Sequence, residues 1–305
     1  MSGVLAGFAT IAAVIVVGIV LAHFGIVDAS GQRALALIVF YVASPALLIS
    51  VLSTADVGVL YSGTLVASVA AVAVVAGLSI AVCLVRGADL AETVIATMAG
   101  CYVNAGNLGL PIAAYVLGDA ALVVPILMLQ LLVLQPLAVT ALDIAVLPVR
   151  PRLGAILRRP FTNPITVASA FGVGVAIAGV ELPRVIGDPL DLLGGMSVPS
   201  MLLAYGVSLR LGPLPGRGVA PAVLSVTVAL KLAVQPIVGY VVGRAIGLDA
   251  TELLAVTVLA GLPSAQNVFV IANRYQRGTV LARDAVFVST VCSVPSITLI
   301  AALLA

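Results

Sequence analysis

Ten long apolar runs leave this chain little choice of environment: they fall at about 4–24, 34–53, 59–85, 91–117, 120–147, 163–182, 190–209, 219–243, 250–272 and 284–304. Each is close to the roughly 20 residues that a helix needs to cross the hydrocarbon core of a bilayer. Only 9% of the 305 residues are charged and 62% are hydrophobic, with a mean hydropathy of +1.29. A soluble domain carries about 25% charged residues, so a water-soluble globule is excluded. Barrel strands would appear as alternating segments of about 10 residues, not as continuous runs. The chain is expected to be an all-α polytopic membrane protein with ten transmembrane helices.

Ten crossings put both termini on one side, and arginine decides which. The connections after the odd-numbered runs hold Arg33, Arg86, Arg150, Arg152, Arg158, Arg159, Arg210, Arg217, Arg274, Arg277 and Arg283, whereas the opposite side holds only Arg184 and Arg244. The arginine-rich side is cytoplasmic by the positive-inside rule, so a multi-pass cell-membrane protein with both termini outside is expected. The first run lacks a basic leader and a cleavage site and reads as a retained span, not a signal peptide.

The net charge of +2 leaves no basic surface for nucleic acid. Cys83, Cys101 and Cys292 are scattered through apolar runs without the paired spacing of a metal site or a disulfide framework. The single histidine, His23, ends the first run at the interface, and no nucleophile, base and acid can be assembled around it. Zinc and nucleotide motifs are absent from the sequence. Neither an enzyme nor an ATP-driven pump is expected, and no catalytic residue, metal or other cofactor is assigned. The chain is expected to move a solute using an existing gradient.

The chain divides into residues 1–147, a short arginine-rich cytoplasmic linker at 148–162, and residues 163–305. Five runs per half is an odd number, so related halves must be inserted as inverted repeats. Their parts correspond in order. Ser44-Pro45-Ala46-Leu47-Leu48 in run 2 matches Val198-Pro199-Ser200-Met201-Leu202-Leu203 in run 7; run 4 opens with Ala91-Glu92-Thr93 and carries Gly109-Leu110-Pro111, while run 9 opens with Ala250-Thr251-Glu252 and carries Gly261-Leu262-Pro263.

Pro111 and Pro263 each remove a backbone donor and press their rings on the carbonyl four residues back, which bends or breaks a helix. Backbone groups freed in hydrocarbon persist only where protein, water or a ligand covers them. Amides and hydroxyls gather at both points: Asn104 and Asn107 in run 4, and Ser264, Gln266, Asn267 and Asn273 around run 9. Asn104 and Asn107 lie three residues apart, about 60° around a helix, so both can face one cavity. Half-helices that start at such breaks with their N-termini toward the centre favour an anion. Prolines with asparagines nearby also serve helix packing alone, and that alternative stands beside the binding reading.

Lys231 lies near the middle of run 8, where a charge must face protein or water. Three roles are open to it: charge compensation for an anionic substrate, a change of protonation in a coupled cycle, or pairing with a buried carboxylate. Asp143 is close enough to Arg150 and the headgroups for a solvated or locally paired role, and Glu92 and Glu252 complement helix N-termini. Gln130, Gln135-Pro136, Tyr205 and Ser293-Val294-Pro295 are further polar or broken points along a path.

Together these residues resemble the auxin efflux carrier family, which includes plant carriers and bacterial permeases. The resemblance spans nearly the whole chain. Its most specific parts are Asn104-Ala105-Gly106-Asn107-Leu108-Gly109-Leu110-Pro111 and the stretch from Leu262-Pro263-Ser264-Ala265-Gln266-Asn267 to Asn273-Arg274-Tyr275, with Asn163-Pro164 and Lys231 with Pro236 between them. It implies two inverted five-helix repeats whose broken helices 4 and 9 cross at the substrate site, an architecture similar to that of the bile acid sodium symporters. It also implies elevator-type exchange of access and a small carboxylate such as malate, malonate or an auxin-like acid as substrate. Asn104 matches the asparagine seven positions before the span 4 proline that family members place at the crossover. Val268 stands where plant members have a further proline, and the long plant cytoplasmic loop is replaced by the short linker.

The resulting expectation is a permease for a small organic anion held by Asn104, Asn107, Ser264, Gln266 and Asn267. Gly109, Pro111, Gly261 and Pro263 form the helix breaks, and Lys231 serves charge compensation or proton coupling. Proton or sodium coupling and a homodimer are compatible with this reading. The alternatives are a sodium-coupled organic anion symporter and a non-transporting membrane receptor or scaffold.

Overall fold

The computed structural model describes residues 2–54, 62–109, 112–113, 117–146 and 163–304. Pro111 and the linker at 148–162, with its four arginines, lie outside the described residues. In chain order the helices are α1 (Ser2–His23), α2 (Ala29–Ser53), α3 (Gly63–Val85), α4 (Leu90–Cys101), α5 (Ala121–Ala145), α6 (Pro164–Ala178), α7 (Arg184–Leu211), α8 (Pro221–Ala245), α9 (Ala250–Ala260), α10 (Gln266–Tyr275) and α11 (Thr279–Leu304). Every apolar run of the sequence carries helix. Six of these helices, α2, α3, α5, α7, α8 and α11, are long and apolar enough to cross a membrane. Their outer faces expose large side chains such as Val66, Val74, Leu137, Ile237 and Leu299, a surface suited to lipid and unsuited to water. The protein is a multi-pass membrane protein. Among the described residues there is no β-strand, only one antiparallel bridge between Val103 and Ser264.

Three of the long helices widen by a π-helical turn immediately before a proline. The turns are Val39–Ala43 ahead of Pro45, Leu129–Leu134 ahead of Pro136, and Leu230–Val234 ahead of Pro236. A proline inside an α-helix has no N–H and its ring presses on the carbonyl one turn back. A longer turn at that point lets the helix continue past the ring.

The helices pack in two groups. In the first, α1 runs along α7, and α2 packs on both α6 and α7. Glycine makes the close approaches: a Cβ on Gly206 would lie 2.1 Å from the Ile15 carbonyl oxygen, and one on Gly18 would lie 2.4 Å from that of Leu203. In the second group α3 packs on α4 and α8, α8 on α9, α4 on α5 and α11, and α10 on α11.

Arg283, expected in a connection, lies instead inside α11. It is buried against the neighbouring Asp284, with Nε 2.7 Å from Oδ1, and Asp284 in turn accepts from the Gly216 amide at 2.8 Å. Asp143 is paired locally, accepting from the Tyr275 hydroxyl at 2.8 Å and the Asn163 amide at 3.2 Å. Glu252 completes a capping box with Asp249 at the start of α9, and Asp89 caps α4 by accepting from the Glu92 amide at 2.7 Å.

Candidate functional site: two interrupted helices around a cavity

The helices α4 and α9 begin alike, with aspartate at the cap and glutamate three residues on, and both stop inside the protein. After Cys101 the backbone becomes extended at Tyr102, and after Ala260 it stays non-helical until α10 begins at Gln266. The two extended segments cross antiparallel. The Asn104 amide donates to the Pro263 carbonyl at 2.9 Å, and the Ala265 amide donates to the Tyr102 carbonyl at 3.1 Å. Each break thus satisfies backbone groups freed by the other, which makes non-helical chain tolerable at this depth. Pro263 suits its place because it has no N–H to leave unpaired.

The carbonyls at the two helix ends are served by side chains from elsewhere. Gln235 donates to the Cys101 carbonyl at 3.0 Å, Lys231 Nζ to the Ala260 carbonyl at 3.2 Å, and the Ser264 hydroxyl to the Ala99 carbonyl at 2.5 Å. Lys231 also donates to Gln235 Oε1 at 2.5 Å. The Ser264 amide donates to the Ser289 hydroxyl at 3.0 Å.

Beyond each break the chain turns helical again with its amides facing the gap. The Asn104 carbonyl accepts from the amides of Leu108 and Gly109, at 3.2 and 3.0 Å, and its Oδ1 accepts from the Asn107 amide at 3.4 Å, so Asn104 caps the short π-helical turn Ala105–Gly109. That use of Oδ1 leaves Nδ2 without a partner, although Asn104 is only 2% exposed. At the other break α10 starts after Ala265, which offers no side-chain cap. The Gln266 Nε2 is likewise buried and unpartnered.

These ends border a cavity of about 270 Å³. Asn104, Asn107, Asn267, Gln130 and Gln135 give it a polar side; Leu47, Leu48 and Val51 of α2 with Val198 and Met201 of α7 give it an apolar one. None of its lining residues carries a charged side chain. An anion placed there would meet amide donors and the N-terminal end of α10 instead of a charged side chain. Unpartnered buried donors are costly when empty and bind an acceptor strongly when one arrives.

Of the residues expected to bind, Asn104, Asn107 and Asn267 line the cavity. Gln266 lies behind them and accepts from Asn107 Nδ2 at 3.3 Å. Ser264 is turned away, its hydroxyl committed to the end of α4. Gly109 and Gly261 pack tightly, where a Cβ would meet Val123 and Ile300 side-chain atoms at 2.9 Å in both cases, and Pro263 sits in the crossing itself. Lys231 is fully buried, off the cavity wall, and among the described residues no carboxylate pairs with it. Three wall residues escaped the sequence reading. Tyr102 donates to Gln135 Oε1 at 2.7 Å, and the Ser44 and Ser197 hydroxyls meet at 3.2 Å. The two serines stand one and two residues before Pro45 and Pro199, and their nearness to the prolines of the two corresponding segments was the available signal.

The sequence matches the family described as "Membrane transport protein" over residues 4–144 and 149–301. It is also 29% identical to a protein of Rhizobium meliloti (strain 1021) described as "Putative malonate transporter", over 93% of this chain and 94% of that protein.

Proposed function

The chain belongs to this membrane transport family, the auxin efflux carriers, and from that premise we propose that it carries a small organic anion, a mono- or dicarboxylate, through the cavity at the crossing. The observation that carries the reading is that Asn104, which lines that cavity beside the uncapped start of α10, holds a buried side-chain Nδ2 without a partner. A carboxylate placed there accepts from Asn104 and from the first amides of α10, with Asn107 and Asn267 beside it and Gln266 holding Asn107 in place. Its remaining carbon atoms meet the apolar wall of α2 and α7. Malonate is the first candidate because a similar protein bears its name.

The chain is read as ten spans in two inverted five-helix repeats, 1–147 and 163–305. Two features support this: the paired Asp-x-x-Glu starts of α4 and α9, and the matched interruptions that follow them. The mechanism is read as an elevator. Its support is the division of the cavity wall, since α2 and α7 belong to one packing group while the crossing belongs to the other. Sliding of the second group along the first would carry the bound anion from one side to the other, and a homodimer would hold the first group still. Both termini are placed outside and the linker at 148–162 in the cytoplasm.

The test is uptake by the full chain in reconstituted vesicles, with radiolabelled carboxylates screened while pH and sodium gradients are varied separately. Counterflow of at least one carboxylate is expected. No counterflow of any would overturn the reading in favour of a receptor or scaffold.

A further inference from the structure

Lys231 sits in the π-helical turn of α8, is fully buried, and meets no carboxylate among the described residues, whose only ion pair joins Arg283 and Asp284. A charge in such a place needs a counter-charge. Its partners are one backbone carbonyl and one side-chain amide. Nζ donates to the carbonyl of Ala260, the last residue of α9, at 3.2 Å, and to Gln235 Oε1 at 2.5 Å. Gln235 passes the contact on, donating to the carbonyl of Cys101, the last residue of α4, at 3.0 Å. One ammonium thereby meets the C-terminal end of α9 directly and that of α4 through Gln235. Each such end carries about half a negative charge, so two sum to about one, which a single ammonium balances.

We propose that Lys231 is a built-in cation that neutralises and joins the negative ends of the two interrupted helices, filling the position that a coupling metal ion would otherwise occupy. In carriers with broken helices, freed carbonyls and half-helix C-terminal ends are the groups that coordinate sodium. Here they are already taken. Left unbalanced, the same two ends would repel an anion entering from the other side of the crossing. Lys231 does not line the cavity, so it acts as a positioning residue through Gln235, Cys101 and Ala260. This inference rests on the proposed transport of a carboxylate at that crossing, and it adds that transport is independent of sodium.

The experiment uses the full chain in vesicles with radiolabelled malonate, in sodium or in choline. Wild-type counterflow is expected to be equal in both. Lys231→Met, of similar length and uncharged, is expected to raise the malonate KM about tenfold in choline with little change in maximal rate. Sodium is expected to restore that KM by entering among the vacated carbonyl oxygens. A merely structural lysine would lower the amount of active protein and give no sodium response. Gln235→Met keeps the ammonium but unties Cys101, and is expected to raise KM without any response to sodium. It carries the test if Lys231→Met does not fold. Wild-type transport that requires sodium, or a wild-type malonate KM in either variant, would overturn the inference. Thermal unfolding in detergent gives a readout without substrate: sodium should stabilise Lys231→Met and leave the wild type unchanged, and equal responses would count against the built-in cation. Absence of wild-type counterflow for every carboxylate, with that sodium-specific stabilisation present, would instead defeat the transport reading alone.

Discussion

The backbone amide of Asn104 donates to the carbonyl of Pro263 at 2.9 Å, so a residue that lines the cavity and carries an unpartnered side-chain amide is itself fixed by the opposite break. The two interruptions therefore form one unit. Tyr102, Val103 and Asn104 cannot move without Pro263, Ser264 and Ala265. A binding group held this way keeps its geometry while the helices that carry it shift together, as a carrier requires.

Replacing Asn104 by alanine removes the cap on the turn Ala105–Gly109 and, in the proposed binding mode, the donor to the anion. A hydrogen bond to a charged group is worth about 1.5–3 kcal/mol, so malonate counterflow should fall at least about tenfold. Membrane insertion and the amount of protein should be unchanged, as checked by size-exclusion chromatography in detergent. Wild-type rates in this variant would remove Asn104 from the site.

Tyr102→Phe leaves Gln135 Oε1 without its donor inside the protein. The cost of such an orphan is about 1–3 kcal/mol. The thermal midpoint should drop and the malonate KM should rise, because Tyr102 and Gln135 both border the cavity. An unchanged midpoint would show that this bond does not hold the break.

Gly206→Ala tests the packing of α1 on α7. The added Cβ meets backbone, the Ile15 carbonyl oxygen at 2.1 Å, which cannot rotate aside. Overpacking of this kind costs about 1–3 kcal/mol, read as a lowered thermal midpoint. Gly174→Ala in α6 is the control, since nothing lies within 4 Å of its Cβ position, and it should cause no loss.

Ser197→Cys tests the division of the cavity wall. A thiol there should react with a membrane-impermeant reagent when the cavity is open, and malonate should slow the reaction by occupying the space between α7 and the crossing. Labelling at the same rate with and without malonate would place the anion elsewhere. The native Cys83 and Cys101 are buried and Cys292 lies on the outer surface of α11, so a cysteine-free background is practical.

Much of this architecture is legible in the sequence because lipid enforces it. Apolar runs must become helices, and prolines with amides beside them mark places where a helix either breaks, as near Pro263, or widens and continues, as at Pro136 and Pro236. Asn104, Asn107 and Asn267, singled out on that logic, line the cavity. What the sequence hides is the partner of each freed backbone group. Gln235 reaches Cys101 across 134 positions and Lys231 reaches Ala260 across 29, and a backbone carbonyl leaves no mark in a string of side chains. A lysine in an apolar run therefore invites a search for a carboxylate, whereas its partners are a helix-end carbonyl and a side-chain amide. Ser264 misleads for the same reason, since a hydroxyl at a break serves backbone and ligand equally well. The prolines of α2, α5 and α8 are visible, but the widened turns that absorb them are not. Arg283 counts as a loop charge until its neighbour Asp284 is seen to bury it.

The most direct measurement of the central claim is a solid-state NMR distance between the labelled carboxylate carbon of bound malonate and asparagine side-chain nitrogen in the lipid-embedded protein. The account predicts dipolar dephasing at hydrogen-bonding distance in the wild type, strongly reduced in Asn104→Ala. Bound malonate with no dephasing from any asparagine side chain, or dephasing that Asn104→Ala leaves untouched, would contradict it.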